Sequence, residues 1–264
     1  MRLIVLGSGS SGNALYIESG ATSVLVDVGL SAKETARRLS EAGIDAAKLA
    51  AIVVTHEHAD HVKGVRVMSK TAEVPVFISD ATRDECHFAS GGTGMRWGEV
   101  ISSSRPFQIG SLDFHPFTIP HDGIDTFAFT VESNGVKVGI VTDLGYITQL
   151  VAEHLKGCSL VVIESNHDRD MLKVGPYPWP LKQRIASNMG HLSNDETARW
   201  LREDFDGRAQ YLVLAHLSRQ CNHPELARLS ALQALATHGS LFFPDAERRL
   251  KVAHQDRPTQ WFEF

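Results

Sequence analysis

Residues 53–64 read VVTHEHADHVKG, and they place three histidines, one aspartate and one glutamate in the six positions from His56 to His61. The stretch continues the apolar run AAIVV, so the polar residues sit where a buried strand ends. On a tight loop, a His-x-His pair turns two imidazoles toward one ion, and a following Asp-His pair can serve a second ion a few ångströms away. Imidazole and carboxylate ligands suit Zn, Mn or Fe, and the lack of a neighbouring Cys argues against a closed structural zinc site. Glu57 lies between two ligand positions and is expected to point away.

The rest of the sequence limits what such a loop can belong to. The chain has 264 residues, of which 43% are hydrophobic and 22% charged, and this balance fits one large globular domain over residues 1–264. A net charge of −5 excludes indiscriminate attraction to nucleic acid, although it allows a local basic cleft. Cys86, Cys158 and Cys221 are odd in number and lack CxxC spacing, which reads as three free thiols in a reducing cytoplasm. No basic segment followed by a long apolar one opens the sequence, and no apolar run approaches the ~20 residues that span a bilayer. Neither secretion nor membrane insertion is expected.

Short Val- and Ile-rich runs recur along the chain: LIVLG, SVLVDVG, AAIVVTH, VPVFIS, KVGIVTD, LVVIES and YLVLAH. Each reads as a buried strand. Helical patterns such as SAKETARRLSEAG, YITQLVAEHLKG, SNDETARWLRED and HPELARLSALQALATHG lie between them, several opening on Ser or Asn and closing on Gly. Residues 98–142 differ: strand-like segments follow one another without helices, and Asn134–Gly135 marks a hairpin. The pattern predicts an α/β fold in which two sheets pack face to face under outer helices, a four-layered αβ/βα sandwich. THEHADH, PHD, TDL, ESNHD and AHLS each come directly after a strand run, which brings them to one rim of the sheets.

These clusters, in this order, resemble the metallo-β-lactamase superfamily over most of the chain. VLVDVG (Asp27) is similar to its first motif, THEHADH to the second, IPHD (His121) to the third, VTDLG (Asp143) to the fourth and LAHLS (His216) to the fifth. The resemblance implies two divalent metal ions, Zn or Mn with Fe as a further candidate. His56, His58 and His121 would hold one, Asp60, His61 and His216 the other, and Asp143 would bridge them. Asp60 could also orient the hydroxide shared by the two ions. Asp27 would anchor the loop through hydrogen bonds.

The bond to be broken is a separate question, because this superfamily hydrolyses lactams, thioesters, lactones and phosphodiesters. Residues 164–200 resemble the nuclease branches, in which a histidine at the position of His191 protonates the leaving oxygen with help from a carboxylate; Glu164 is the candidate here. GSGSSGN, HDGIDTFAF, ESNHD, GPYPWPLKQRI, GHLSN and HLSRQCN together are similar to one bacterial branch, the YycJ (WalJ) proteins. That resemblance implies a metal-dependent 5′-to-3′ exonuclease acting on DNA ends and linked to mismatch repair, in which the shared hydroxide attacks phosphorus. It departs at Cys221, which precedes Asn222 where a paired Asn-Asn is expected. The segment between Asp143 and His216 is too short for the inserted domain of the RNA-processing β-CASP relatives. Expected substrate contacts are Ser10 and Asn13 in the Gly-rich loop after the first strand, then Lys173, Tyr177, Trp179 and Asn222. The first loop also reads as an ordinary tight turn, and GPYPWP as a rigid loop packed on the body. A small-molecule thioester or lactone hydrolase is the alternative, and it predicts a deep closed pocket.

Overall fold

Strand β1 (Arg2–Gly7) is buried on both faces: Leu3 and Val5 join one apolar cluster, Ile4 and Leu6 another. The same division holds along the chain, and it defines the layers. The computed structural model describes residues 1–88, 94–103, 105–237 and 243–264. Among these, the remaining strands are β2 (Ala14–Ser19), β3 (Thr22–Val26), β4 (Ala51–Val53), β5 (Pro75–Ile78), β6 (Arg96–Val100), β7 (Phe107–Ile109), β8 (Leu112–Thr118), β9 (Phe127–Ser133), β10 (Val136–Val141), β11 (Leu160–Glu164), β12 (Tyr211–Ala215), β13 (Leu250–Val252) and β14 (Phe262–Glu263).

They form two sheets, ordered β14-β1-β2-β3-β4-β5-β6 and β13-β12-β11-β10-β9-β8-β7. In the first, pairing is antiparallel from β14 to β3 and parallel from β3 to β6. The second repeats this plan: antiparallel from β7 to β10, parallel from β10 to β13. β3 and β10 therefore hold equivalent central places, and each is followed by an aspartate, Asp27 or Asp143.

Between the sheets lies a core that includes Leu15, Val24, Phe114, Phe129, Val162 and Val213. On the outer face of the first sheet, Leu39 and Met68 come from helices Ala32–Glu41 and Val65–Ala72. Helices Gln149–Leu155, Asn194–Glu203 and Pro224–Thr237 cover the second sheet through residues such as Val151, Leu201 and Ala231. The architecture is the expected αβ/βα sandwich. The hairpin at Asn134–Gly135 also forms, with both residues at positive φ (50° and 77°), as a two-residue turn between right-twisted strands requires.

Several segments differ from expectation. Strands β6, β13 and β14 escape a search for apolar runs, since they are edge strands of two to five residues, and β6 is partly exposed. GPYPWP is not wholly a loop: Pro178 starts a helix, Trp179–Ile185, with a proline in its first turn where no backbone N–H is needed. Among the described residues, no helix is long and apolar enough to cross a membrane.

Candidate metal centre and its cleft

The polar clusters meet because parallel strands end on the same side. Asp27 follows β3, Thr55 and His56 follow β4 closely, Asp143 follows β10, Glu164 closes β11 and His216 follows β12. Asp27, Asp143 and His216 have φ of 60°, 61° and 53°, a left-handed backbone that is uncommon outside glycine. Each turns the chain sharply off its strand and presents its side chain at the rim. The loop of the second motif is pinned from below: Asn13 N donates to Asp60 O (2.7 Å), Val28 N to His61 O (2.9 Å) and Gly64 N to Val28 O (2.7 Å). A Cβ on Gly29 would lie 1.5 Å from Asp60 O, so only glycine permits this approach.

At four of the histidines, one ring nitrogen is tied to the protein and the other is left facing the centre. His56 Nδ1 pairs with Thr55 Oγ1 (2.9 Å), His61 Nδ1 with Asp27 Oδ2 (2.7 Å), His121 Nδ1 with the carbonyl of Gly190 (3.1 Å) and His216 Nδ1 with Glu164 Oε1 (2.7 Å). His58 differs: its Nδ1 faces the centre, 3.2 Å from His121 Nε2. Asp27, the anchor of this wiring, also accepts from Thr55 N (2.9 Å) and Thr55 Oγ1 (2.8 Å). Such partners fix the tautomer and the ring orientation of a metal ligand.

Possible ligand atoms of His56, His58 and His121 lie within 4.8 Å of one another, as do those of Asp60, His61 and His216. Asp143 reaches both sets: its possible ligand atom lies within 4.8 Å of those of His56 and His61, and its Oδ2 is 3.1 Å from His61 Nε2. One buried atom, His56 Nε2, has no hydrogen-bond partner among the described residues. Buried polar atoms are rarely left so, and a cation satisfies it. The donor set, its tautomers and this orphan fit a divalent metal pair.

Charge at the centre is strongly organised. Burial disfavours the imidazolium of His61 and of His216, yet Asp143 and their other carboxylate neighbours prevail; His61 is raised well above the usual range and His216 to about 10. Burial would likewise raise Asp60 and Glu164. The His216 hydrogen bond and the His61 charge hold Asp60 at about 2, and the His191 and His216 charges and hydrogen bonds hold Glu164 at about 2. His56 is pushed well below the usual range by burial and the His61 charge.

Glu164 does more than its expected service to His191. It is fully buried and takes four donors: His216 Nδ1 and His191 Nδ1 (2.9 Å) at Oε1, Leu144 N (2.9 Å) and Leu192 N (3.1 Å) at Oε2. One carboxylate thus fixes His191, His216 and the backbone beside Asp143. His191 lines a cleft of about 330 Å³ together with Ser10, His58, Asp60, Tyr177, Arg184 and His216. Ser10, Tyr177 and His191 are thereby brought to the candidate centre.

Other expected contacts fall elsewhere. Asn13 is buried, with Oδ1 accepting from Gly9 N (2.7 Å) and Nδ2 2.9 Å from His61 Nε2, so it braces the ligand loop. Asn222 is buried too, its amide donating to the carbonyls of Ser165 (2.8 Å) and Asn166 (3.0 Å), which takes it out of the cleft. Lys173 and Trp179 line a second cavity, of about 650 Å³, that has His191 as a shared wall. Glu57 points away from the ligands, as expected, and accepts from Ile124 N (2.9 Å).

Asp122 was not expected. Its Oδ1 is 3.4 Å from His121 Nε2 and 3.7 Å from His58 Nε2, and its other oxygen is paired with Arg184. The only sequence signal was its place in PHD, directly after a ligand.

A family model described as a beta-lactamase superfamily domain matches residues 22–217. The chain belongs to the beta-lactamase superfamily. Within it, the chain is 34% identical over 235 residues to Bacillus anthracis exodeoxyribonuclease YycJ, covering 89% of each. It is 32% identical over 234 residues to Streptococcus pneumoniae exodeoxyribonuclease WalJ, covering 88% of this chain and 87% of the relative. The metallo-beta-lactamase fold protein YhfI of Bacillus subtilis superposes with a TM-score of 0.75 at 17% identity, over 98% of this chain and 100% of that one. The protein is thus a metal-dependent hydrolase with the metallo-β-lactamase fold, in the YycJ/WalJ branch.

Proposed function

We propose that this superfamily member is a dinuclear metal phosphodiesterase that shortens DNA from its ends, 5′ to 3′, and serves mismatch repair. The observation that carries the reading is the likeness, along nearly the full length, to two chains named exodeoxyribonucleases. Polarity and the repair role rest on resemblance to that branch.

His56, His58 and His121 would hold one ion, Asp60, His61 and His216 the other, with Asp143 shared between them. When bound, two divalent cations lower the pKa of water toward neutrality and offset the negative charge gathering on a phosphoryl group. The chain's own residues do the rest. Glu164 fixes the Nδ1–H of His191, which leaves Nε2 free to meet an oxygen in the cleft. Burial lowers His191, but the charge of Glu164 outweighs it, and the imidazolium persists above the ordinary histidine range. The shift favours the protonated ring, the form that can give a proton to a departing oxygen. The Arg184 guanidinium, held by Asp122 at the edge of the cleft, is placed to orient a phosphate.

The test is incubation of the purified protein with end-labelled duplex DNA and a panel of Mn²⁺, Zn²⁺ and Mg²⁺. Stepwise shortening from the 5′ end is expected. Failure to cut DNA or RNA with any of these ions, together with turnover of a thioester or lactone, would overturn the reading in favour of a small-molecule hydrolase.

A further inference from the structure

Several cations on the helices of this chain are held by a carboxylate one turn away: Arg37 by Glu34, Lys156 by Glu153, Lys173 by Asp170 and Arg199 by Glu196. The stretch after the second motif breaks that pattern. Residues 61–72, HVKGVRVMSKTA, carry Lys63, Arg66 and Lys70 and no carboxylate, in a chain of net charge −5. The side chains of these three make no ion pair and no hydrogen bond among the described residues.

The fold puts all three on one side. Helix Ala59–Val62 runs into helix Val65–Ala72 through Lys63 and Gly64, whose backbone stays right-handed helical, so one set of faces continues through both. His61, Val65, Met68 and Ser69 are buried, whereas Ala59, Lys63, Arg66, Val67 and Lys70 are exposed. Both sets follow the three- and four-residue spacing of a helix face, so the exposed one is a single outward stripe. The stripe starts at the candidate centre: Ala59 lines the metal cleft, between the candidate ligands His58 and Asp60. None of the three cations lines the cleft itself. At a rise of ~1.5 Å per residue, Lys63 to Lys70 spans about 10 Å. About three base pairs of duplex occupy that length, with one phosphate per ~3.4 Å of axis on each strand.

Resting on the nuclease reading, we propose that this stripe binds the phosphate backbone of the duplex behind the end held at the centre. Its cations give up no internal partner when a phosphate arrives, and the release of counterions from the DNA drives the contact. Contacts to backbone carry no sequence information, so the stripe fixes the duplex relative to the cleft for any sequence.

The test uses the protein as purified and a fluorescent blunt duplex with a cleavage-resistant phosphorothioate backbone, with binding followed by anisotropy over a range of salt. Each phosphate contact steepens the fall of log affinity with log salt by about 0.9. Lys63→Gln/Arg66→Gln/Lys70→Gln should therefore flatten that slope by about 2.7, so that going from about 50 to 200 mM salt costs it about 40-fold less affinity than the wild type. The charge-keeping Lys63→Arg/Arg66→Lys/Lys70→Arg should retain the wild-type slope, which separates charge from fold. Arg228→Gln/Arg248→Gln/Lys251→Gln removes as much charge from helices Pro224–Thr237 and Ala246–Arg249 and from β13, and should retain the slope too. An unchanged slope in the first variant, or an equal flattening in the third, overturns the proposal. End-labelled DNA with a normal backbone is assayed in parallel. Cleavage by the wild type with an unchanged slope in the first variant would sink the stripe and spare the phosphodiesterase, whereas a flattened slope without cleavage under any metal would do the reverse.

Discussion

His191 and Asp143 are 3.8 Å apart at their nearest polar atoms, yet their loss should have different consequences. Asp143 lies within reach of candidate ligands of both sets, so Asp143→Ala should abolish both metal content and turnover. His191 is held by Glu164 in the wall of the cleft, so His191→Ala should lower turnover by about 10²- to 10⁴-fold, the usual worth of a positioned acid, with metal content intact. Elemental analysis alongside steady-state rates separates the two; full turnover by His191→Ala would dismiss it as the acid. A pH effect follows from the same residues. The metal-free centre keeps protons on His61 and His216 at neutral pH, because their folded-state affinities for protons are raised. A cation needs the neutral imidazoles, so loading should release protons and apparent affinity should rise with pH. Calorimetry of metal binding in two buffers of different ionisation enthalpy measures that release. Identical heats in both would show that no proton leaves.

At the scale of elements, the centre depends on how closely loops approach. The loop after β3 passes under the loop of the second motif with no room for a methyl group at Gly29. Gly29→Ala should push Asp60 and His61 out of place and destabilise the fold by at least the 1–3 kcal/mol typical of overpacking. Thermal melting together with metal stoichiometry checks this, and wild-type values for both would contradict the geometry. These contacts explain which parts of the site were legible in the sequence. HxHxDH announces itself because its ligands are neighbours in the chain. Asp122 and Arg184 are 62 residues apart and meet only through the fold, so neither signalled the other. Asn222 was read as a substrate contact from its place after HLS, but the main chain at Ser165 and Asn166 takes up its amide.

Taken as a whole, the molecule draws its candidate metal ligands from both sheets. His56, His58, Asp60 and His61 belong to the first, while His121, Asp143 and His216 belong to the second. Metal binding at these residues would link the two halves of the sandwich and stabilise the folded state. At a free metal concentration about 100 times Kd this is worth about 2.7 kcal/mol. For a chain of this size, chelation should lower Tm by about 5–10 °C, and Mn²⁺ or Zn²⁺ should restore it. A melting curve indifferent to chelator would mean that no ion bridges the halves. The strand runs, the hairpin at Asn134–Gly135, the layered architecture and the ordered ligand motifs were determined by the sequence alone, because each depends on local periodicity or on neighbours in the chain. Only tertiary structure decided that Glu164 serves two histidines, that Asp122 and Arg184 flank the cleft, and that His167 and Trp179 share a cavity beyond His191. Those relations join residues far apart in sequence, and they exist only because parallel strands of two packed sheets end at a common rim.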